Sequence, residues 1–190
     1  GVRARRTLQK VSAVWPHKTN FFRGLPSQTA SFLMLKRIEL DAIDREILRR
    51  MQEDARAPTD GIADALGVSA ATVQRRLKQL RDTGVIQREI AQIDPRTLGV
   101  AMTFVVSIEI ERDQLDILDT FRRQAHADPN VQQCYYVPGE ADFILVILAR
   151  DMDEFEQVSN RLLQNNPYVR RFRTSVTMGR PKVGLSVPID

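Results

Sequence analysis

The sequence predicts an α+β chain of two domains, three helices followed by a four-stranded βαββαβ sandwich. Three observations predict it. Apolar residues recur at helical spacing between Leu40 and Leu80, and glycines stand where two of those helices must stop. Beyond residue 100 the period changes to strand-like alternation, interrupted twice by helical stretches. The chain has 190 residues, 43% of them hydrophobic, which is enough for two small cores.

Residues 1–37 show no sustained period, contain two prolines and hold 8 Lys and Arg with no acid. They are expected to be a disordered or non-native basic extension, with Met34 as a natural beginning. As a native segment it would suit phosphates or a minor groove, and its acid-free start also has the composition of an organelle transit peptide.

In "LDAIDREILRRMQED" the residues Leu40, Ile43, Ile47 and Met51 share one face, with acids early and arginines late. This is the order the helix dipole favours. Thr59 is expected to cap a short second helix that ends at Leu66, with Gly67 as its left-handed terminator. Gly61 inside it costs up to about 1 kcal/mol relative to alanine, so this helix should be the softest of the three. Ser69 is placed to cap a third helix running to Thr83 and stopping at Gly84.

After an extended "VIQREIAQID" and a turn-like "DPRTLG", strands are predicted over 102–110, 131–137, 142–149 and 170–178, with helices over 114–126 and 152–164. Asp151 and Glu154 form the pattern of a capping box, and Phe155, Val158 and Leu162 make the apolar stripe that follows. Four strands with two helices on one face give a split-βαβ, ferredoxin-like sandwich. The strand "DFILVILA" is apolar on both faces, so a partner sheet in a homodimer is expected to cover what the helices do not.

Composition removes several classes of function. A single cysteine, Cys134, excludes an intrachain disulfide framework and a Cys-based zinc cluster, and it fits a reducing, cytoplasmic setting. His17 and His126 have no ligand-like spacing to carboxylates, so neither a metal nor a cofactor is expected. The longest apolar run, "FILVILA", has the length of a strand, and no membrane partner is expected. The net charge of +4 arises wholly in the first 37 residues, so nucleic-acid binding must be argued from local charge.

That argument rests on "GVSAATVQRRLKQL", residues 67–80. Ala63, Gly67 and Val73 suit a close helix crossing, a tight turn and a locking apolar contact, the needs of a helix-turn-helix. With Val73, Leu77 and Leu80 buried, Ala71, Gln74, Arg75 and Lys78 must point outward. Alanines allow close approach to base edges and thymine methyls, Gln can pair with adenine, and Arg can pair with guanine. The candidate DNA-contacting set is Ser69, Ala71, Thr72, Gln74, Arg75, Arg76 and Lys78. For Arg76, on the flank of the stripe, phosphate contact and covering the core are both open.

"LDAIDREIL", "GVSAATVQRRLKQLRDTGVI", "IDPRTLG" and "VPGEADFIL" together resemble, in order and spacing, the Lrp/AsnC (feast/famine) transcriptional regulators over residues 38–180. The resemblance implies a winged helix-turn-helix domain with a linker strand over 38–94, a ferredoxin-like ligand-binding and oligomerisation domain over 95–180, and a tail over 181–190. It also implies double-stranded DNA as partner, homodimers assembling further into octamers or similar discs, and an amino acid or related small molecule as effector. The hairpin at Gly139, Glu140 and Asp142 would border the effector, Asp142 holding an ammonium and amides near Gly139 a carboxylate, with Thr174 and Ser175 as further candidates. Ala141 stands where the family commonly carries an aromatic, which leaves the ligand open. Without the resemblance, the same four residues form only a turn.

The alternative is a tetrapyrrole-decarboxylating enzyme, since some are built on the same plan. Such an enzyme would be expected to need a polar group in a central cavity, for which only His126 is available. Cys134 with His126 is the sharpest nucleophile and base pairing in the chain, but Cys134 lies mid-strand and no orienting acid has matching spacing.

Overall fold

The computed structural model describes residues 38–111, 115–137, 139 and 141–190, which form two compact units: 38–86 with 188–190, and 87–187. Expectations for residues 1–37 and Glu140 fall outside the described residues.

The first unit holds α1 (Ala42–Glu53), α2 (Thr59–Leu66) and α3 (Ala70–Asp82). Asp41 begins α1 with a reciprocal capping box: its carboxylate accepts from Asp44 N at 2.9 Å, and the Asp44 carboxylate accepts from Asp41 N at 3.4 Å. Thr59 does not cap α2. It is the first helical residue, and the cap position falls on Pro58, whose ring offers no oxygen to the free amides. Gly67 ends the helix at φ 65°, as its position predicted, and Val68 N closes back on Ala63 O at 3.1 Å. Ser69 caps α3 through Thr72 N at 3.2 Å. Ile47, Ile62, Ala63, Val73, Leu77 and Leu80 form the core of this unit, with Leu40, Ile43 and Met51 packed around them. Residues 87–94 run on without strand pairing.

The second unit opens with a 3₁₀ turn, Pro95–Leu98, and continues as β1 (Met102–Ile110), α4 (Leu115–Ala127), β2 (Val131–Tyr136), β3 (Phe143–Ala149), α5 (Met152–Ser159) and β4 (Val169–Val176). The strands form one antiparallel sheet in the order β2-β3-β1-β4. In the central pair Phe104 faces Ile147, Val106 faces Leu145 and Ile108 faces Phe143. These six residues are buried with Phe121 and Ala125 of α4 and Phe155 and Val158 of α5, so both helices cover the same face. Phe104 and Phe155 stack with ring centroids 3.8 Å apart.

Two local details depart from expectation. The box at α5 is half formed: Glu154 N donates to Asp151 at 2.8 Å, but the Glu154 carboxylate accepts from Arg150 N at 2.6 Å and also takes its guanidinium. The helix expected over 152–164 changes at Asn160–Gln164 into a wide π turn, in which Asn165 N reaches back to Asn160 O at 3.1 Å. The added width lets Leu162 and Leu163, adjacent in sequence, both enter the core.

Candidate nucleic-acid interface and ligand hairpin

The two faces of α3 are cleanly separated. Val73, Leu77 and Leu80 are buried, while Ala71, Gln74, Arg75 and Lys78 are exposed, with Ser69 at the N-terminal end. Buried Ala63 and the turn at Gly67 hold α2 and α3 together on the side away from that face. Ser69 and Thr72 also share a hydroxyl contact of 2.9 Å, so the two polar residues of the first turn form a small fixed cluster. Lys78 pairs with Asp82 at 2.5 Å, but both are largely exposed, and an arriving phosphate can compete for the ammonium.

Arg76 does not join the outward row. Its Nη1 meets Asp41 at 2.5 Å and Asp44 at 3.0 Å, tying α3 to the start of α1, and its side chain is only 20% exposed. The Asp41 and Asp44 hydrogen bonds push the guanidinium pKa above its ordinary value. The Asp44 backbone N–H, followed by Arg76, holds Asp41 below the usual carboxylate range. Arg76 Nε is buried and makes no hydrogen bond among the described residues.

In the second unit the hairpin between β2 and β3 brings Gly139 and Asp142 together, Gly139 exposed and Asp142 only 5% exposed. Asp142 locks the hairpin to the end of β1: its carboxylate accepts from Ile110 N at 2.8 Å, and its own N–H donates to Ile108 O at 2.7 Å. Thr174 is exposed on β4, in register with Val106, and β1 lies between it and β3. Within one chain Thr174 is therefore held across the sheet from the hairpin. Ser175 is in register with Val105, on the side away from the helices.

Cys134 is half buried in register with Leu145, and burial pushes its thiol pKa up, which disfavours a nucleophilic thiolate. His126 is exposed in the last turn of α4. Among the described residues no group of His, Cys, Asp and Glu could hold a metal ion, and no helix is long and apolar enough to cross a membrane. A shallow groove of about 220 Å³, lined by residues such as Ile93, Leu98, Pro129 and Leu148, lies toward the opposite ends of β2 and β3 from the hairpin.

Sequence reasoning missed the Arg76 tie and a second network, in which Arg161 binds Asp128 at 2.5 and 2.9 Å and Asn130 at 2.7 Å. Both join residues more than 30 positions apart, which helical and strand periods do not report.

Residues 40–81 match the AsnC-type helix-turn-helix domain, and residues 103–187 match the Lrp/AsnC ligand binding domain. An uncharacterised HTH-type transcriptional regulator of Sinorhizobium fredii is 37% identical over 153 residues, covering 80% of this chain and 90% of the relative. The crystal structure of an AsnC family transcriptional regulator from Agrobacterium tumefaciens is similar with a TM-score of 0.73 at 26% identity, covering 78% of this chain and 97% of that one. A transcriptional regulator of Neisseria meningitidis, solved as a complex with L-Met, is similar with a TM-score of 0.72 at 25% identity, covering 80% of this chain and 98% of that one. These likenesses are to transcriptional regulators, and the decarboxylase alternative falls away.

Proposed function

The chain belongs to the Lrp/AsnC family of transcriptional regulators, and from that premise we propose that α3 reads the major groove of double-stranded DNA while the βαββαβ unit pairs copies of the chain and answers to an amino acid. The observation that carries the reading is the separation of α3 into a buried stripe and an exposed row of Ala71, Gln74, Arg75 and Lys78. Small residues at the helix start permit close approach, and Gln and Arg offer paired donors and acceptors to base edges. Ser69 and Thr72 stand where the helix dipole favours a phosphate, and Arg76 supports the helix from behind.

The sheet face away from the helices supports pairing. It carries Ile144, Val146 and Leu148 of β3, Val105 of β1 and Tyr135 of β2, with Val105 37% and Tyr135 48% exposed. Two such faces packed together would bury this surface in a homodimer, from which octamers or similar discs are built. The hairpin at Gly139 supports the ligand reading, since its exposed backbone can receive a carboxylate, and the Neisseria relative was solved with L-Met. A regulator of this kind works in the cytoplasm, where it meets DNA.

The test is DNA selection from the host genome by the wild-type chain, with and without a panel of amino acids that includes L-methionine, repeated with Arg75→Ala/Lys78→Ala. The wild type should enrich a discrete set of fragments whose occupancy changes with at least one amino acid. The double variant should keep its fold and lose about fivefold to a hundredfold in affinity, given about 1–3 kcal/mol for a base-reading pair. Equal binding by the folded variant overturns the groove assignment, and occupancy blind to every amino acid overturns the effector.

A further inference from the structure

Asp142 is a buried acid at the hairpin end of the sheet. Regular pairing between β1 and β3 stops at Ile108 opposite Phe143, where β3 begins. β1 runs on to Ile110, past the point at which β3 offers a strand residue to it. Asp142 fills that gap with its side chain, and its Oδ2 accepts from Ile110 N at 2.8 Å. Its backbone is committed as well: its N–H donates to Ile108 O at 2.7 Å, and its carbonyl accepts from Val137 N at 2.8 Å across the base of the hairpin. The residue is 5% exposed, and Ile108, Ile110 and Phe143 beside it are each 2% exposed or less.

We infer that Asp142 is a positioning residue: it fixes the hairpin against β1 so that amides near Gly139 meet the effector, and it does not itself hold the effector's ammonium. The inference rests on the amino-acid reading of the hairpin and reassigns one of its residues. Three features favour it. An ammonium bound at this carboxylate must give up its water, and the residues flanking Asp142 offer it apolar side chains in return. The carboxylate also has a task that the fold cannot leave undone, because without it Ile110 N, in a buried residue, loses its acceptor. Finally, Gly139 is exposed while Asp142 is not, so the groups open to a ligand and the group that holds them in place are different. A hairpin tied only through its own two strands would have to be ordered by the ligand; the tie to β1 removes that cost beforehand.

The experiment uses the full chain, the L-amino acid that binds the wild type most tightly in a panel including L-methionine, and the same compound lacking its amino group. Wild type is compared with Asp142→Asn and Asp142→Ala by calorimetry, together with hydrogen exchange at the Ile110 and Val137 amides. Asparagine keeps an oxygen that can accept from Ile110 N, so Asp142→Asn should bind within about threefold of the wild type, with both amides still protected. Asp142→Ala should melt cooperatively, exchange faster at both amides and bind about tenfold or more weakly. Removing the amino group should cost the same factor in wild type and in Asp142→Asn. A loss of about tenfold in Asp142→Asn while both amides stay protected overturns the inference and returns the carboxylate to the ammonium. Equal binding by a folded Asp142→Ala overturns it too, since the ligand would then be indifferent to the tie. Should Asp142→Ala fail to fold, the asparagine variant and the compound without an amino group decide alone. If the wild type binds no amino acid, the effector reading has failed and takes this inference with it, an outcome distinct from any in which the wild type binds and a variant does not.

Discussion

Arg76 illustrates how a base on the second helix of a helix-turn-helix can be turned to the support of the fold. Its neighbour Arg75 points outward, whereas Arg76 is drawn back to Asp41 and Asp44, the two acids that also cap α1. One pair of carboxylates thus starts one helix and fixes another. Because Asp41 is held below the usual carboxylate range, its contribution is fully present above the unfolded value near pH 4, and is lost as pH falls through the lower folded value. Asp41→Asn should therefore melt earlier than wild type at neutral pH, and the gap should narrow as pH drops below about 4. Parallel melting curves at every pH would show that Asp41 contributes nothing through its charge. The tie could not be read from the sequence, because Arg76 lies 35 residues from Asp41 and a helical wheel shows only that it flanks the stripe.

Among the elements, α2 has the least local support. It spans eight residues, has no side-chain cap, and carries Gly61 on its exposed side. A Cβ built at Gly61 would meet nothing within 4 Å, and its φ is not in the left-handed range. Gly61→Ala should therefore raise stability by up to about 1 kcal/mol, seen as a higher denaturation midpoint at unchanged slope. A lower midpoint would mean that the glycine is there for a contact that the single chain does not make. Element boundaries were legible wherever a local period carried them: β1 falls on Met102–Ile110 as expected, and Ser69 and Gly67 bracket the turn as expected. Thr59 misled because the sequence "PTD" offers a good capping residue one place too late. The exposed row of α3 was equally legible, since a buried stripe of three apolar residues dictates what points away. Asp142 was visible as part of a turn, but its bond to Ile110 N depends on β1 passing beside the hairpin, which only the folded sheet provides.

At the scale of the whole molecule, the open sheet face is the feature that most constrains behaviour in solution. Val146 sits on β3 in the middle of that face, opposite Val105 of β1. Val146→Asp should leave the helix-covered core untouched and shift sedimentation from dimer to monomer, since a charge there would be buried without a partner. It should also weaken binding to DNA with two half-sites more than binding to a single half-site. A variant that remains dimeric would place the interface between copies elsewhere. The wide turn at Asn160–Gln164 adds a constraint of another kind, on chain length. Each residue of a regular helix advances it by about 100°, so losing one residue here would swing everything after the deletion around the axis and leave room for only one of Leu162 and Leu163 in the core. If the helix resisted and the strand slipped instead, β4 would move one step along β1, sending Phe172 to the open side and the arginines at 171 and 173 toward the helices. Substitutions in this turn are local edits; an insertion or deletion of a single residue would rewrite both faces of an edge strand.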